Sequence, residues 1–130
     1  AIIVCIVVAV CLITNPKNGD TPHQWTRSIS ADDVQSARMW NTQYELNDSE
    51  NEELVRLLNS LNKKDFTLNK NNAGITPEYG LTVLCSGIEY HINQADAPDG
   101  NLEMNYKGNQ WWIKSTDLGD FIEKYNSLSS

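Results

Sequence analysis

Between Tyr79 and Lys114 apolar and polar residues alternate in four successive runs: Leu81, Val83, Cys85; Ile88, Tyr90, Ile92; Leu102, Met104, Tyr106; and Trp111, Ile113. Ser86-Gly87, Pro98-Asp99-Gly100-Asn101 and Lys107-Gly108-Asn109 separate them, all turn formers that supply positive φ or Asx hydrogen bonds. The pattern predicts a four-stranded β-meander. Its period of two sends one residue of each pair inward and the next outward, giving a sheet with one apolar face. Upstream, Leu54, Leu57, Leu58 and Leu61 recur at helical spacing behind Ser49 and Glu52, which fit a capping box. Acids Asp48, Glu50, Glu52 and Glu53 at the start and Lys63 and Lys64 at the end suit the helix dipole. This stripe is the expected cover for the meander.

The remaining segments are shorter. Ser30-Ala31-Asp32-Asp33 looks like a helix N-cap, yet Val34, Ser36, Arg38, Trp40 alternate with Gln35, Ala37, Met39, and a strand from about Val34 to Asn41 is favoured over a helix. Phe66-Thr67-Leu68 adds a short strand before a turn region from Asn69 to Gly74. Ser115, Thr116 and Asp117 offer caps to a helix with the stripe Leu118, Phe121, Ile122, Tyr125, and the tail from Asn126 should fray. The fold class is therefore α+β: an antiparallel β-meander sheet of about four to six strands packed against a main helix near 49–61 and a C-terminal helix near 116–125. Trp25, Trp40 and Trp111 are expected as core or near-core anchors, and Tyr79 is expected to pack at the start of the meander.

The first residues change the picture of location. Ala1 to Ile13 is wholly apolar and is followed by a polar stretch with Pro16, Gly19 and Pro22. Thirteen helical residues span about 20 Å, less than a bilayer needs, and the chain starts without Met, so upstream residues could supply the rest. Residues 1–14 read as a signal or anchor remnant, 15–24 as a linker and 25–126 as one globular domain, with a buried core element as the other reading of the apolar run. Cys5 follows Val4 and Cys11 follows Val10, which departs from the small residue that precedes an acylated cysteine. The expected location is extracytoplasmic, membrane-anchored or secreted.

The succession Ile29-Ser30-Ala31-Asp32-Asp33-Val34, Glu53-Leu54-Val55-Arg56-Leu57-Leu58-Asn59, Gly74-Ile75-Thr76-Pro77-Glu78-Tyr79-Gly80 and Gln110-Trp111-Trp112-Ile113 resembles small extracytoplasmic domains of unknown function from Gram-positive gut bacteria. It covers Trp25 to Tyr125. The resemblance implies export and a compact domain and brings no activity with it.

Seventeen acidic against ten basic residues give a net charge of -7, the wrong sign for nucleic acid or an anionic membrane surface. No nucleic-acid partner is expected, and membrane contact only through the N-terminal segment. Cys85 is the one cysteine of the globular part, so it has no disulfide partner there. Histidines 23 and 91 have no zinc spacing, and neither the acids from Glu45 to Glu53 nor the Asp96-to-Asn101 turn has the EF-hand pattern. No phosphate loop, nucleophile elbow or dinucleotide fingerprint occurs. No metal or other cofactor is expected.

Taking Ser86-Gly87 as a two-residue turn pairs Cys85 with Ile88 and Thr82 with His91. Keeping apolar residues together then pairs Ile92 with Leu102, His91 with Glu103, and Tyr106 with Trp111. The outer face would carry the row Thr82, His91, Glu103, Lys114 beside the row Leu84, Glu89, Asn105, Trp112. His91 between a hydroxyl and a carboxylate could be a general base, and Trp112 could stack on a sugar ring. The same face reads equally as a solvated surface with cross-strand pairs worth roughly 0.2–1 kcal/mol each. Alternation puts Cys85 inside and His91 outside, which separates them as a thiol-imidazole pair.

The functional expectation is an exported, non-enzymatic binding or sensory module, its partner a protein or cell-envelope ligand, with Trp112, Leu84, His91, Glu103 and Lys114 as candidate binding residues. The alternatives are a small hydrolase or sugar-active enzyme using His91 and Glu103, and an immunity or inhibitor protein meeting a basic partner through its acidic surface.

Overall fold

The computed structural model describes residues 20–70 and 74–127; the apolar run, most of the linker and the last three residues lie outside them. A short helix α1 (His23–Thr26) leads into one 3₁₀ turn (Ala31–Asp33), strand β1 (Val34–Met39), helix α2 (Asp48–Asn59), a second 3₁₀ turn (Lys63–Asp65) and strand β2 (Phe66–Leu68). Strands β3 (Gly80–Cys85), β4 (Ile88–Ala97), β5 (Gly100–Tyr106) and β6 (Asn109–Ile113) form the meander, and helix α3 (Thr116–Asn126) closes the domain. All six strands join one antiparallel sheet in the order β1-β3-β4-β5-β6-β2. Among the described residues no helix is long and apolar enough to cross a membrane.

The competing signals around Ser30 are both satisfied. The Asp33 carboxylate accepts from the Ser30 N–H at 2.9 Å, completing one 3₁₀ turn, and the alternating residues then continue as β1. Helix α2 starts earlier than its Ser49/Glu52 pattern suggests. Asn47 Oδ1 accepts from Glu50 N–H and Glu50 Oε1 from Asn47 N–H, both at 2.9 Å, so the capping box is Asn47/Glu50. Tyr44 favours this choice, because its hydroxyl donates to the same carboxylate at 2.7 Å. At the other end of the chain Asn126 is buried: its amide donates to the carbonyls of Ile122 at 2.8 Å and Gly80 at 3.1 Å. The tail is therefore anchored through Asn126, against the expectation of fraying there.

Turn geometry sets the register. Ser86 and Gly87 have φ of 50° and 81°, and Lys107 and Gly108 have 50° and 83°, the paired positive values of a type I′ hairpin. The first gives the expected partners, Cys85 with Ile88 and Thr82 with His91. The second places Tyr106 opposite Asn109, where apolar matching had set it against Trp111. Between β4 and β5 the connection pairs Ala97 with Gly100 and the register shifts by one residue before Gln94, so that Ile92 lies opposite Met104, where apolar matching sets it against Leu102. Two of the three expected registers thus slip by two residues, which keeps each residue on its face but changes its neighbours.

One face of the sheet supplies Met39, Leu81, Val83, Ile92, Met104 and Ile113, all fully buried, to a core cluster that includes Leu54, Leu57 and Leu58 of α2 and Leu118, Phe121 and Ile122 of α3. Trp25 adds to it by stacking on Tyr90, with ring centroids 4.1 Å apart. The free edge of β1 is occupied by the chain that follows it: Met39 N–H donates to the Tyr44 carbonyl and Leu46 N–H to the Ala37 carbonyl, each at 2.9 Å.

Tyr125, buried at the end of α3, stacks on Tyr44 at 5.6 Å. Burial, then a hydrogen bond to Glu50 and the negative charges of Glu50 and Glu53, push its phenol up to about 12. Hydrogen bonding to Glu50, then burial, raises the Tyr44 phenol as well. The folded state therefore holds the Tyr125 proton where the unfolded chain, titrating near 10, releases it. The associated stability is complete below pH 10 and lost as the pH rises toward 12. Tyr125→Phe should flatten that decline by about 2 kcal/mol, measured by urea unfolding from pH 9 to 12; a decline identical to wild type would contradict the assignment.

Candidate functional site

The helix-free face of the sheet carries Ser36 and Arg38 from β1, Thr82 and Leu84 from β3, Glu89, His91 and Asn93 from β4, Glu103 and Asn105 from β5, and Gln110 and Trp112 from β6. The pairings Ser36–Leu84–Glu89, Arg38–Thr82–His91 and Gly80–Asn93–Glu103–Trp112–Thr67 fix its rows. The expected row of Thr82, His91, Glu103 and Lys114 does not form. Thr82 meets His91, but Glu103 lies opposite Asn93 and Trp112, and Lys114 is beyond the paired residues of β6.

The face has two halves of different character. Toward β6, Glu103 and Trp112 are only 2% and 6% exposed, although the described helices pack with the core residues of the other face. The chain must pass from β2, at one edge, to β3, which lies beyond β6, β5 and β4. Its described part, Gly74 to Glu78, runs beside β4: Gly74, Ile75 and Thr76 share a cavity with Gln94 and Ala95, and Glu78 N–H donates to Gln94 Oε1 at 3.0 Å. Around Glu103 a polar ladder crosses the strands. Glu103 accepts from Asn93 Nδ2 at 3.2 Å and from Gln110 Nε2 at 3.0 Å, and Gln110 Oε1 accepts from Asn69 Nδ2 at 3.0 Å. Each polar group finds a partner there, as burial demands. Trp112, expected as an exposed binding residue, is buried beside this ladder.

Toward β1 the face is open. His91 Nδ1 lies 3.1 Å from the Thr82 hydroxyl and its Nε2 lies 2.9 Å from Glu89 Oε1. Hydroxyl, imidazole and carboxylate thus follow in the order used by nucleophile, base and orienting acid. The acid is Glu89, two residues along the same strand, in place of the expected Glu103. Both strands lie inside the sheet, where backbone N–H groups are spent on neighbouring strands and not aimed at a developing oxyanion. What the row presents is a solvent-facing line of donors and acceptors.

Beside this row Ser36, Arg38, Trp40, Gln43, Thr82, Leu84 and Glu89 line a cavity of about 290 Å³. Trp40 forms one wall. A side chain at Gly80 would collide with its indole and with Asn93 Oδ1, so the missing Cβ is what allows the ring to lie against the sheet. Expected as a core anchor, Trp40 is 36% exposed. Gln43, at a positive φ of 62°, donates from Nε2 to the Trp40 carbonyl at 2.8 Å and shapes the turn behind it. Arg38 reaches Glu45 at 3.7 Å, both side chains being largely exposed.

Lys114 lines a different cavity, about 440 Å³, with Asp96, Asp120 and Glu123 between the β4–β5 turn and α3. Among the described residues no cluster of three His, Cys, Asp or Glu side chains is placed to hold a metal ion. The acidic stretch is divided as well: Asp48, Glu52 and Glu53 are exposed, whereas Glu50 is engaged by Asn47 and Tyr44. Burial works to raise the Glu50 carboxyl, but hydrogen bonds from Asn47, Tyr44 and Tyr125 and the Lys124 charge bring it below its ordinary value.

Comparison of the chain with protein-family models, with curated proteins and with solved structures finds no match. Functional inference therefore rests on the site. Ser36, Arg38 and Trp40 were not among the expected binding residues. Their signal was the alternation Val34, Ser36, Arg38, Trp40, which put all of them on one face of β1; what it lacked was the partner strand.

Proposed function

We propose that this domain is an exported, non-enzymatic binding module whose recognition surface is the open half of the sheet around Arg38, Trp40, Leu84 and Glu89. The observation that carries this reading is the uneven burial of this face: Glu103 and Trp112 are buried in its β5–β6 part, while its β1 side leaves an exposed tryptophan, a half-buried leucine and two oppositely charged groups around a cavity. An aromatic ring with one edge in water and an arginine nearby is the residue chemistry that dominates recognition surfaces. Leu84 stays in this surface, as does His91 at its margin. Trp112 and Glu103, both buried, leave this surface and act in the sheet's structure. The apolar residues 1–14 serve as export signal or anchor and 15–24 as linker, which would set the domain outside the membrane.

A photo-crosslinking residue placed at Leu84 should give a discrete adduct in the native cell envelope. The same residue at Thr67, exposed at the opposite edge of the same face, should not. Equal labelling at both positions, or none at either, would remove this surface from consideration.

A further inference from the structure

We propose that the cavity beside Trp40 takes a neutral, hydroxyl-rich ring, one unit of a carbohydrate chain; this rests on the reading of the open sheet half as the recognition surface. The first argument is charge. The lining contains one cation, Arg38, and one anion, Glu89, so its formal charge sums to zero. They occupy diagonal corners of the floor: Arg38 is on β1 in the row of Thr82, and Glu89 is on β4 in the row of Leu84. An anionic ligand filling the cavity meets the Glu89 carboxylate, and a cationic one meets the Arg38 guanidinium. A neutral polyol can accept at one corner and donate at the other.

The second argument is the mixture of surfaces. Ser36 presents a hydroxyl from the floor that can donate and accept, and Thr82 adds a second whose other partner is His91 Nδ1, while Trp40 offers an aromatic wall and Leu84 an apolar patch. A sugar ring has both characters, polar around its rim and apolar on its faces. A wholly apolar ligand would strand the floor's hydroxyls and charges, which costs binding energy whenever such groups are buried without partners.

Size and rigidity complete the case. A volume of about 290 Å³ lies at the lower end of small-ligand sites, roughly 300–1,000 Å³. That suits one ring with its neighbours running on over the open face. The backbone that carries the wall is held before binding by the hydrogen bond from Gln43 to the Trp40 carbonyl, and the indole lies against Gly80, so less ordering is left for the ligand to impose.

The test is a screen of the full chain in mild detergent against an array of neutral, anionic and cationic oligosaccharides, with hits measured by calorimetry. The expected result is binding of at least one neutral glycan, weakened about tenfold or more by Trp40→Ala and about threefold to tenfold by Glu89→Gln. Glu89 is exposed, so Glu89→Gln reports on the site without threatening the fold. Thr67→Ala should leave binding unchanged. Binding of no neutral glycan, binding restricted to charged ones, or affinity indifferent to both Trp40→Ala and Glu89→Gln would overturn the proposal. A protein adduct from Leu84 with no glycan binding would keep the recognition surface and remove the carbohydrate; loss of both would remove both.

Discussion

Gly100→Ala should lower the stability of the domain by about 3 kcal/mol, the upper part of the range for forced overpacking, or roughly 10–20 °C in the unfolding midpoint. Gly100 opens β5, and a Cβ built there would lie 2.6 Å from the carbonyl oxygen and 2.8 Å from the nitrogen of Ile113. Those are backbone atoms of β6, fully buried and held in the ladder by pairing to Leu102 and Phe66, so they cannot step aside. Gly80→Ala provides the contrast. Its obstacles are the Trp40 indole and the Asn93 amide, side-chain groups that can rotate. It should cost about 1 kcal/mol yet displace Trp40, visible as a change in tryptophan emission. Thermal unfolding of both variants checks the pair, and a Gly100→Ala midpoint within a few degrees of wild type would show that β6 yields after all.

The second large effect concerns Glu103. Glu103→Ala should cost about 3 kcal/mol, because it removes the buried acceptor shared by Asn93 and Gln110. Taking a carboxylate out of a buried site returns part of its desolvation cost, but the two amide donors left behind dominate. Glu103→Gln keeps the shape and one acceptor oxygen while turning a second donor toward an amide already donating, and about 1–2 kcal/mol is expected. Urea denaturation at neutral pH orders the two variants. A cost below about 1 kcal/mol for Glu103→Ala would mean that the amides find other acceptors.

Much of the architecture was legible because it is local. The alternation from Tyr79 to Lys114, the leucine stripe of α2 and the Ser115 cap of α3 each lie within one element or one hairpin. The Ser86-Gly87 turn even fixed the register of β3 with β4. The second hairpin was misread where apolar matching and turn geometry disagreed: Lys107-Gly108 forms a two-residue turn whatever stands opposite Tyr106. Between β4 and β5 the tight connection that pairs Ala97 with Gly100, followed by a one-residue shift before Gln94, sets Glu103 opposite Asn93 and away from His91, and that shift has no strong residue signal.

The candidate site was less visible for a related reason. It is assembled by pairing Val34–Met39 with Gly80–Cys85, across more than forty residues of chain, and nothing within either segment names the other. Leu84, Thr82 and His91 could be placed on the outer face from alternation alone. That Trp40 would stand beside them depends on the β1 pairing, and the burial of Trp112 is not visible in the alternation of its own strand.

The pairing of Tyr44–Leu46 along the outer margin of β1 limits how anything can attach to this domain. A peptide that binds by adding a strand needs a run of free backbone donors and acceptors at a sheet edge. Here the β1 edge is occupied from Ala37 to Met39, and the opposite edge, β2, is three residues long. Strand addition, in function or in aggregation, is thus blunted at both sides. Specific contact must be made through side chains on a face, which leaves selectivity to the identity of a few residues.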